Sequence, residues 1–398
     1  MTNPLRVPST GVSRAELARE VAWRRLHLAD AMQRRGIEAL VVASEANAVY
    51  LTGYETTVWG NKSKPFAVVF APPQRPCVVC HVGEAASVEL DAIDVDVDPY
   101  AGPEVLSIDG TVQLDYQLPA VDAVVAAVNR SEAATAGLER SWHFLPGLTP
   151  LALERLVEQL TVPALDASPA IWETRRVKTD WELAQMRTAA RAAELTHEAF
   201  ARSAQVGMTE RELGRLLRVC AYDAGAERIG YSGIIAGVDR APLGGPTDRR
   251  WERSQLLFAD IGLQCNGGYF ADFNRIYAAA TPTEKQLRGY DSVVQALDRG
   301  REQVRAGTRV SELAEAIIGE RSTIYARVGH GLGLEMPEPP SISPFDETPL
   351  KAGEVICIEP NCLVDGVGWL VSEEEVVITE SAHDLLSAPF PRELPVIT

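Results

Sequence analysis

The sequence of 398 residues has no apolar run near the roughly 18 residues that a membrane span needs. Its longest uncharged pieces are strand-length, such as FAVVFAPP, which excludes a membrane protein. Basic residues are in deficit: 38 Lys and Arg against 55 Asp and Glu leave a net charge of -17. The overall field therefore opposes a phosphate backbone, and nucleic acid is not an expected partner. Cysteine is sparse, with six residues (Cys77, Cys80, Cys220, Cys265, Cys357, Cys362) that are too few for a disulfide scaffold in a chain this long. MTNPLRVPSTG has neither a signal-peptide core nor an Arg-rich amphipathic pattern, so residues 1–12 read as a flexible lead-in and the expected location is cytoplasmic. GVGWLVSEE at 366–374 lacks the Lys-Ser/Thr ending of a phosphate loop. CVVCH at 77–81 has haem-attachment spacing but lies in a β-rich run with no export signal, and reads as strand core.

Apolar residues at 46% and charged residues at 23% fit a globular chain, and this length at roughly 100 to 200 residues per domain predicts two domains. From Ser13 the spacing of Leu17, Val21, Leu28 and Met32 predicts a helix ending at Gly36. IEALVVASE and the two runs either side of the Pro72-Pro73 turn follow as strands, an α/β order. The acidic stretch from about Asp91 to Asp122 reads as irregular, with further strand and helix segments after it. The division is expected near Ala167, giving domains 13–166 and 167–398. Beyond it come a long helix capped by Thr179 or Asp180, a second helix, strands from Ile229 to Ala279, a helix pair from Thr283 to Arg321 and closing strands. Helices followed by clustered strands predict an α+β domain with an antiparallel sheet.

Asp260 and Asp272 lie in apolar strand-like sequence where an unpaired carboxylate is costly to bury. His330 stands between two glycines, which allow close backbone approach to a bound group. Glu359 follows VICI, and Glu373, Glu374 and Glu375 precede VVIT. Alone, each acid is more often an exposed turn or edge charge. Together, four carboxylates and one imidazole in strands suit a hard or borderline divalent cation.

The order D-x-G, D-x-x-R, GHGLGLE, IEPN and EEEVVIT resembles the pita-bread family of prolidase, methionine aminopeptidase and creatinase. RRVKTDWELAQMR resembles that family's R-x-x-K-x-x-x-E-x-x-x-M-R helix, and NAVYLTGYE the start of its creatinase-type N-terminal domain. The resemblance implies an α/β N-terminal domain plus an α+β pita-bread domain, with Asp260, Asp272, His330, Glu359 and Glu373 holding two divalent ions. Manganese is the first expectation, with iron, cobalt or zinc as alternatives. It also implies a homodimer whose N-terminal domain closes the partner's site, so that Tyr50, Tyr54 and Trp59 face a pocket.

Departures from the pattern matter as much. Leu243 and Pro337 stand where the family has histidines, Val371 where it often has arginine, Asn274 for threonine and Asn361 for glycine. Asn361 can still adopt the left-handed turn conformation that a glycine would take there. The two aspartates are twelve residues apart where eleven is usual, which suggests an insertion or bulge near Asn266, Gly267 and Gly268. Tyr325, Glu335 and Glu338 are candidates to replace the missing proton carriers, with Glu359 or Glu373 assisting. Arg275 either binds an acidic substrate group or pairs with a ligand carboxylate, the second being favoured. The expected chemistry is hydrolysis of a small amide or dipeptide-like substrate by metal-activated water, Xaa-Pro dipeptidase-like without being a standard prolidase. The alternatives are a lyase acting on a small carboxylate such as dimethylsulfoniopropionate, and a non-catalytic metal-binding module.

Overall fold

The structure, a computed structural model, describes residues 12–57, 59, 63–108, 111–144, 147–237, 244–265, 267–319 and 327–397, with backbone only for 104–108 and 111–113. Among the described residues no helix is long and apolar enough to cross a membrane. The expected flexible lead-in lies outside them, apart from Val12. The chain divides between Arg175 and Arg176, one helix beyond the expected position.

The first unit contains α1 (Arg14–Gln33), β1 (Ala39–Val42), α2 (Glu45–Thr52), β2 (Ala67–Phe70), β3 (Cys77–His81), α3 (Ala85–Asp91), β4 (Asp96–Tyr100), β5 (Glu104–Ile108), β6 (Thr111–Asp115), α4 (Leu118–Arg130), β7 (Ala136–Leu138), α5 (Pro150–Gln159), β8 (Ala164–Asp166) and α6 (Ser168–Arg175). Its sheet runs β4-β3-β2-β1-β7-β8. Strand alternation splits the apolar residues between two faces. Leu40, Val42, Val68 and Phe70 pack with α1, α2 and α6, whereas Val41, Ala43, Ala67 and Val69 pack with α4 and α5. Ala170, Ile171 and Trp172 of α6 complete the first of these cores, which is why the division falls after that helix. CVVCH is β3, in agreement with the strand reading. The stretch expected to be irregular instead carries β4, β5 and β6, short strands whose acidic residues and Pro99 mask the alternation.

The second unit contains α7 (Asp180–Ser203), α8 (Glu210–Ala224), β9 (Arg228–Ala236), β10 (Leu256–Gln264), β11 (Phe270–Ala278), α9 (Glu284–Gln303), α10 (Val310–Ile318), β12 (Gly329–Gly331), β13 (Glu338–Ser341), β14 (Val355–Ile358), β15 (Asn361–Val364), β16 (Gly368–Val371), β17 (Glu374–Ile378) and β18 (His383–Leu385). α7, α8 and α9 each open on a threonine whose hydroxyl accepts from the third helical residue, with the Glu or Gln there reaching back. Two antiparallel sheets, β11-β10-β9 and β13-β12-β14-β17-β18, carry the candidate ligands.

Candidate metal centre

Asp260 and Asp272 share one face of the β10–β11 hairpin. Asp260 pairs with Asn274 and Gly262 with Asp272, and pairing continues unbroken from Leu256–Ala278 to Gln264–Phe270. Partners across a ladder share a face, as do alternate residues along a strand. An even spacing of twelve therefore places both carboxylates together without a bulge in this hairpin. A register shift occurs in the β9–β10 pairing, between Gly262 and Leu263; the turn in which an inserted residue was expected includes Asn266, which is outside the described residues.

In the other sheet His330 pairs with Cys357, and Cys357 with Glu375. One ligand atom each from Asp272, His330, Cys357 and Glu373 lies within 4.8 Å of the others, and all four residues are buried. Three of the five expected ligands are thus brought together with a cysteine that the motif reading missed. Asp260 and Glu359 lie outside that tight group, though the charges of both act on Glu373. Cys357 was legible by strand parity, since it lies two residues before Glu359.

Several contacts orient these groups. His330 Nδ1 lies 2.9 Å from the Gly331 carbonyl, an acceptor, so this nitrogen carries the proton and Nε2 faces Asp272 Oδ2 at 3.3 Å. Asn274 Nδ2 donates to Glu373 Oε2 at 2.8 Å, and the Asp272 amide donates to Glu375 Oε1 at 2.6 Å. Burial, then the charges of Asp272 and Glu359, push Asp260 well above the usual carboxylate range. The same causes raise Glu373, with Asp260 and Glu375 adding to them. Glu359, less buried as a residue than the other candidates, has its carboxyl raised by burial against the opposing charge of His330. His330 itself is raised: burial disfavours imidazolium, but the hydrogen bond and charge of Asp272 outweigh it. Buried oxygens of Asp260 (Oδ1), Glu373 (Oε1) and Glu375 (Oε2) have no hydrogen-bond partner. Crowded carboxylates with orphaned oxygens are costly unless a cation neutralises them, so the donor set fits divalent metal ions.

Other candidates are placed elsewhere. The Arg275 guanidinium donates to the carbonyls of Asn274 and Ala388 and stacks over Phe273 at 3.8 Å and Phe390 at 5.3 Å. It is buried in the core with no direct ion pair to a candidate ligand, while the charge of Glu373 acts on it from a distance. Tyr50 is buried under Arg24 in the first unit. Tyr54 hydrogen-bonds Glu84 and stacks on Phe66, and Trp59 also packs against Phe66. Glu335 is partly buried outside the ligand group, while Glu338 is buried and pairs with Lys178 at 2.9 Å. Tyr325 and Leu243 lie outside the described residues. Asn361 opens β15 opposite Val371 and does not take the left-handed conformation open to it. Glu374 faces away from the centre, accepting from the Phe390 amide and pairing with Arg301. Tyr231, also missed, stands on β9 opposite Gly262. Its phenol is raised by burial and then by Asp260, Asp272, Glu359 and Glu373.

The profile of metallopeptidase family M24 matches residues 184–380, and that of the creatinase/prolidase N-terminal domain matches residues 24–177. The chain belongs to metallopeptidase family M24. A Xaa-Pro dipeptidase of Pyrococcus furiosus is 34% identical over 225 residues, which are 54% of this chain and 64% of that protein, so the match spans just under two thirds of that relative. An uncharacterized peptidase of Staphylococcus aureus is 23% identical over 367 residues, 90% of this chain and 97% of the other. Among solved structures, an X-Pro aminopeptidase from Thermotoga maritima superposes with a TM-score of 0.78 at 21% identity, covering 94% of this chain and 99% of that one. A prolidase from Thermococcus sibiricus gives 0.80 at 20% identity, covering 95% and 98%. The fold is the pita-bread fold with a creatinase-type N-terminal domain, as the motif order implied.

In this M24 chain the glycines beside His330 serve the sheet. A Cβ at Gly329 would meet the Cys357 carbonyl at 2.1 Å, and one at Gly331 the Pro339 carbonyl at 2.1 Å. The close backbone approach expected at GHG is thus to neighbouring chain segments.

Proposed function

We propose that this chain is a metal-dependent hydrolase of a small amide or dipeptide-like substrate, with Asp260, Asp272, His330, Glu359 and Glu373 holding two divalent ions. The observation that carries the reading is the buried group of Asp272, His330 and Glu373, whose orphaned oxygens and raised carboxyls call for cations. Such ions supply Lewis-acid polarisation of the scissile carbonyl and make water a nucleophile at neutral pH. Glu359, the least buried residue of the five, accepts the proton from the attacking water. Leu243 and Pro337 leave no imidazole at the family's two positions. The Tyr231 phenol, kept protonated, donates a hydrogen bond to the oxyanion as the carbonyl is attacked. Named Xaa-Pro dipeptidases and peptidases among the relatives support hydrolysis. The elimination weighed from the sequence finds no counterpart among them. Manganese, a homodimer and a cytoplasmic location are part of the same reading, supported by the family resemblance.

The test is a screen of Xaa-Pro dipeptides and simple amides with added manganese, cobalt or zinc in ¹⁸O-labelled water, beside Asp260→Asn. Hydrolysis places solvent oxygen in the product carboxylate, and the variant loses both turnover and about one metal equivalent. An alkene product, or full metal content with no turnover on any substrate, would sink the proposal. Tyr231→Phe is expected to lower kcat by about 10²-fold with little change in metal content.

A further inference from the structure

The donors of the proposed centre are oxygen and imidazole, yet the ladder row that carries His330 continues through a thiol. His330, Cys357 and Glu375 are direct cross-strand partners on β12, β14 and β17. Such partners hold their Cβ atoms about 4.5–5.5 Å apart on one face. Cys357 has no exposed surface, and its Sγ lies within 4.8 Å of a ligand atom from each of Asp272, His330 and Glu373. Glu373 is 1% exposed, and its Oε1 has no hydrogen-bond partner. An ordinary core thiol faces apolar side chains. This one faces three groups of metal-ligand type.

We propose that Cys357 is itself a ligand of one of the two cations and biases that position toward zinc, cobalt or iron over manganese. The inference rests on the reading of the cluster as a metal centre and adds a donor to it. Coordination exchanges the S–H bond for a sulfur–metal bond, and the proton leaves to solvent. Sulfur, imidazole and two carboxylates make a four-donor set of the kind that suits zinc or cobalt, whereas manganese prefers oxygen. The thiol thereby selects among metals that the carboxylates alone would accept alike.

Cobalt(II) is the probe, titrated into metal-free wild type and Cys357→Ser with the cobalt content of both measured by elemental analysis. The expected result is a sulfur-to-cobalt charge-transfer band in the near ultraviolet for the wild type, lost in the variant. Zinc X-ray absorption on the wild type needs no variant and is expected to show a zinc–sulfur shell at about 2.3 Å. Wild type that binds cobalt with neither band nor sulfur shell overturns the thiol assignment while the carboxylate centre stands. A band that survives in Cys357→Ser assigns the sulfur to another cysteine and overturns it equally. Wild type that binds no cobalt overturns the centre and, with it, the thiol.

Discussion

Asn274 stands where the family pattern has threonine, and its amide holds Glu373 Oε2 in place. Removing a group that orients a metal ligand typically weakens metal affinity by about 10- to 100-fold. Asn274→Ala is expected to do so in a chelator competition, with little change in far-ultraviolet dichroism. His197 gives a different test. It is fully buried, its Nε2 faces the Phe273 carbonyl at 2.9 Å and its Nδ1 the Tyr277 hydroxyl at 3.0 Å. Burial, reinforced by Arg275, lowers its pKa from 6.5 to about 3. The unfolded chain therefore binds this proton more readily, so the stability His197 confers is complete above about pH 6.5 and falls away toward pH 3. His197→Gln removes this titration, and its stability deficit in urea is expected to shrink as the pH is lowered from 7 to 5; a constant deficit would count against it. At this scale the sequence showed the ligand types well, because charged residues inside apolar runs are conspicuous. Cys357 went unread although strand parity with Glu359 could have found it, and Asn274 was noted only as a departure from threonine, because an asparagine or a cysteine in a strand does not by itself announce a contact with Glu373.

At the level of elements, helix starts were the most legible feature. T-x-x-E or T-x-x-Q precedes α7, α8 and α9, and each forms a reciprocal cap. Thr283→Ala, at the start of α9, is expected to cost about 1 kcal/mol in a urea titration and to leave metal content unchanged. Short acidic strands such as β4 were illegible, because four or five residues cannot display a period of two against background charge. The spacing of the aspartates was noticed, but its meaning depended on register. Only the unbroken β10–β11 pairing shows that twelve residues return the chain to the same face. Gly262, on that face, has Met336 packed where a side chain would go, with Sδ 2.3 Å from a Cβ built there.

For the whole molecule, the order of motifs conveyed the architecture because each ligand strand keeps its own signature. The division between the units was less legible, since α6 reads equally well as the end of one unit or the start of the next, and only burial of Ala170, Ile171 and Trp172 decides it. Two helices followed by strands occur twice in the second unit, a regularity of order without visible sequence repetition. Metal removal should be felt globally. With metal at 100 times its dissociation constant, binding contributes about 2.7 kcal/mol to stability. Chelation is thus expected to lower the melting temperature of the wild type, and to change that of Asp260→Asn much less. Equal shifts in both proteins would deny the carboxylates their role.

The positions of the donors also decide when in folding a cation can be captured. Asp260 and Asp272 belong to one local hairpin, whereas His330 and Glu373 come from a different sheet and as much as 113 residues of chain later than Asp260. A chain that has formed only the hairpin offers two repelling carboxylates and no imidazole, and so holds an ion weakly. Tight capture is therefore expected after the rate-limiting barrier, where an added interaction slows escape from the native state without hastening arrival. The ion would act as a latch: refolding proceeds at the same speed with or without it, and unfolding slows in proportion to how firmly it is held.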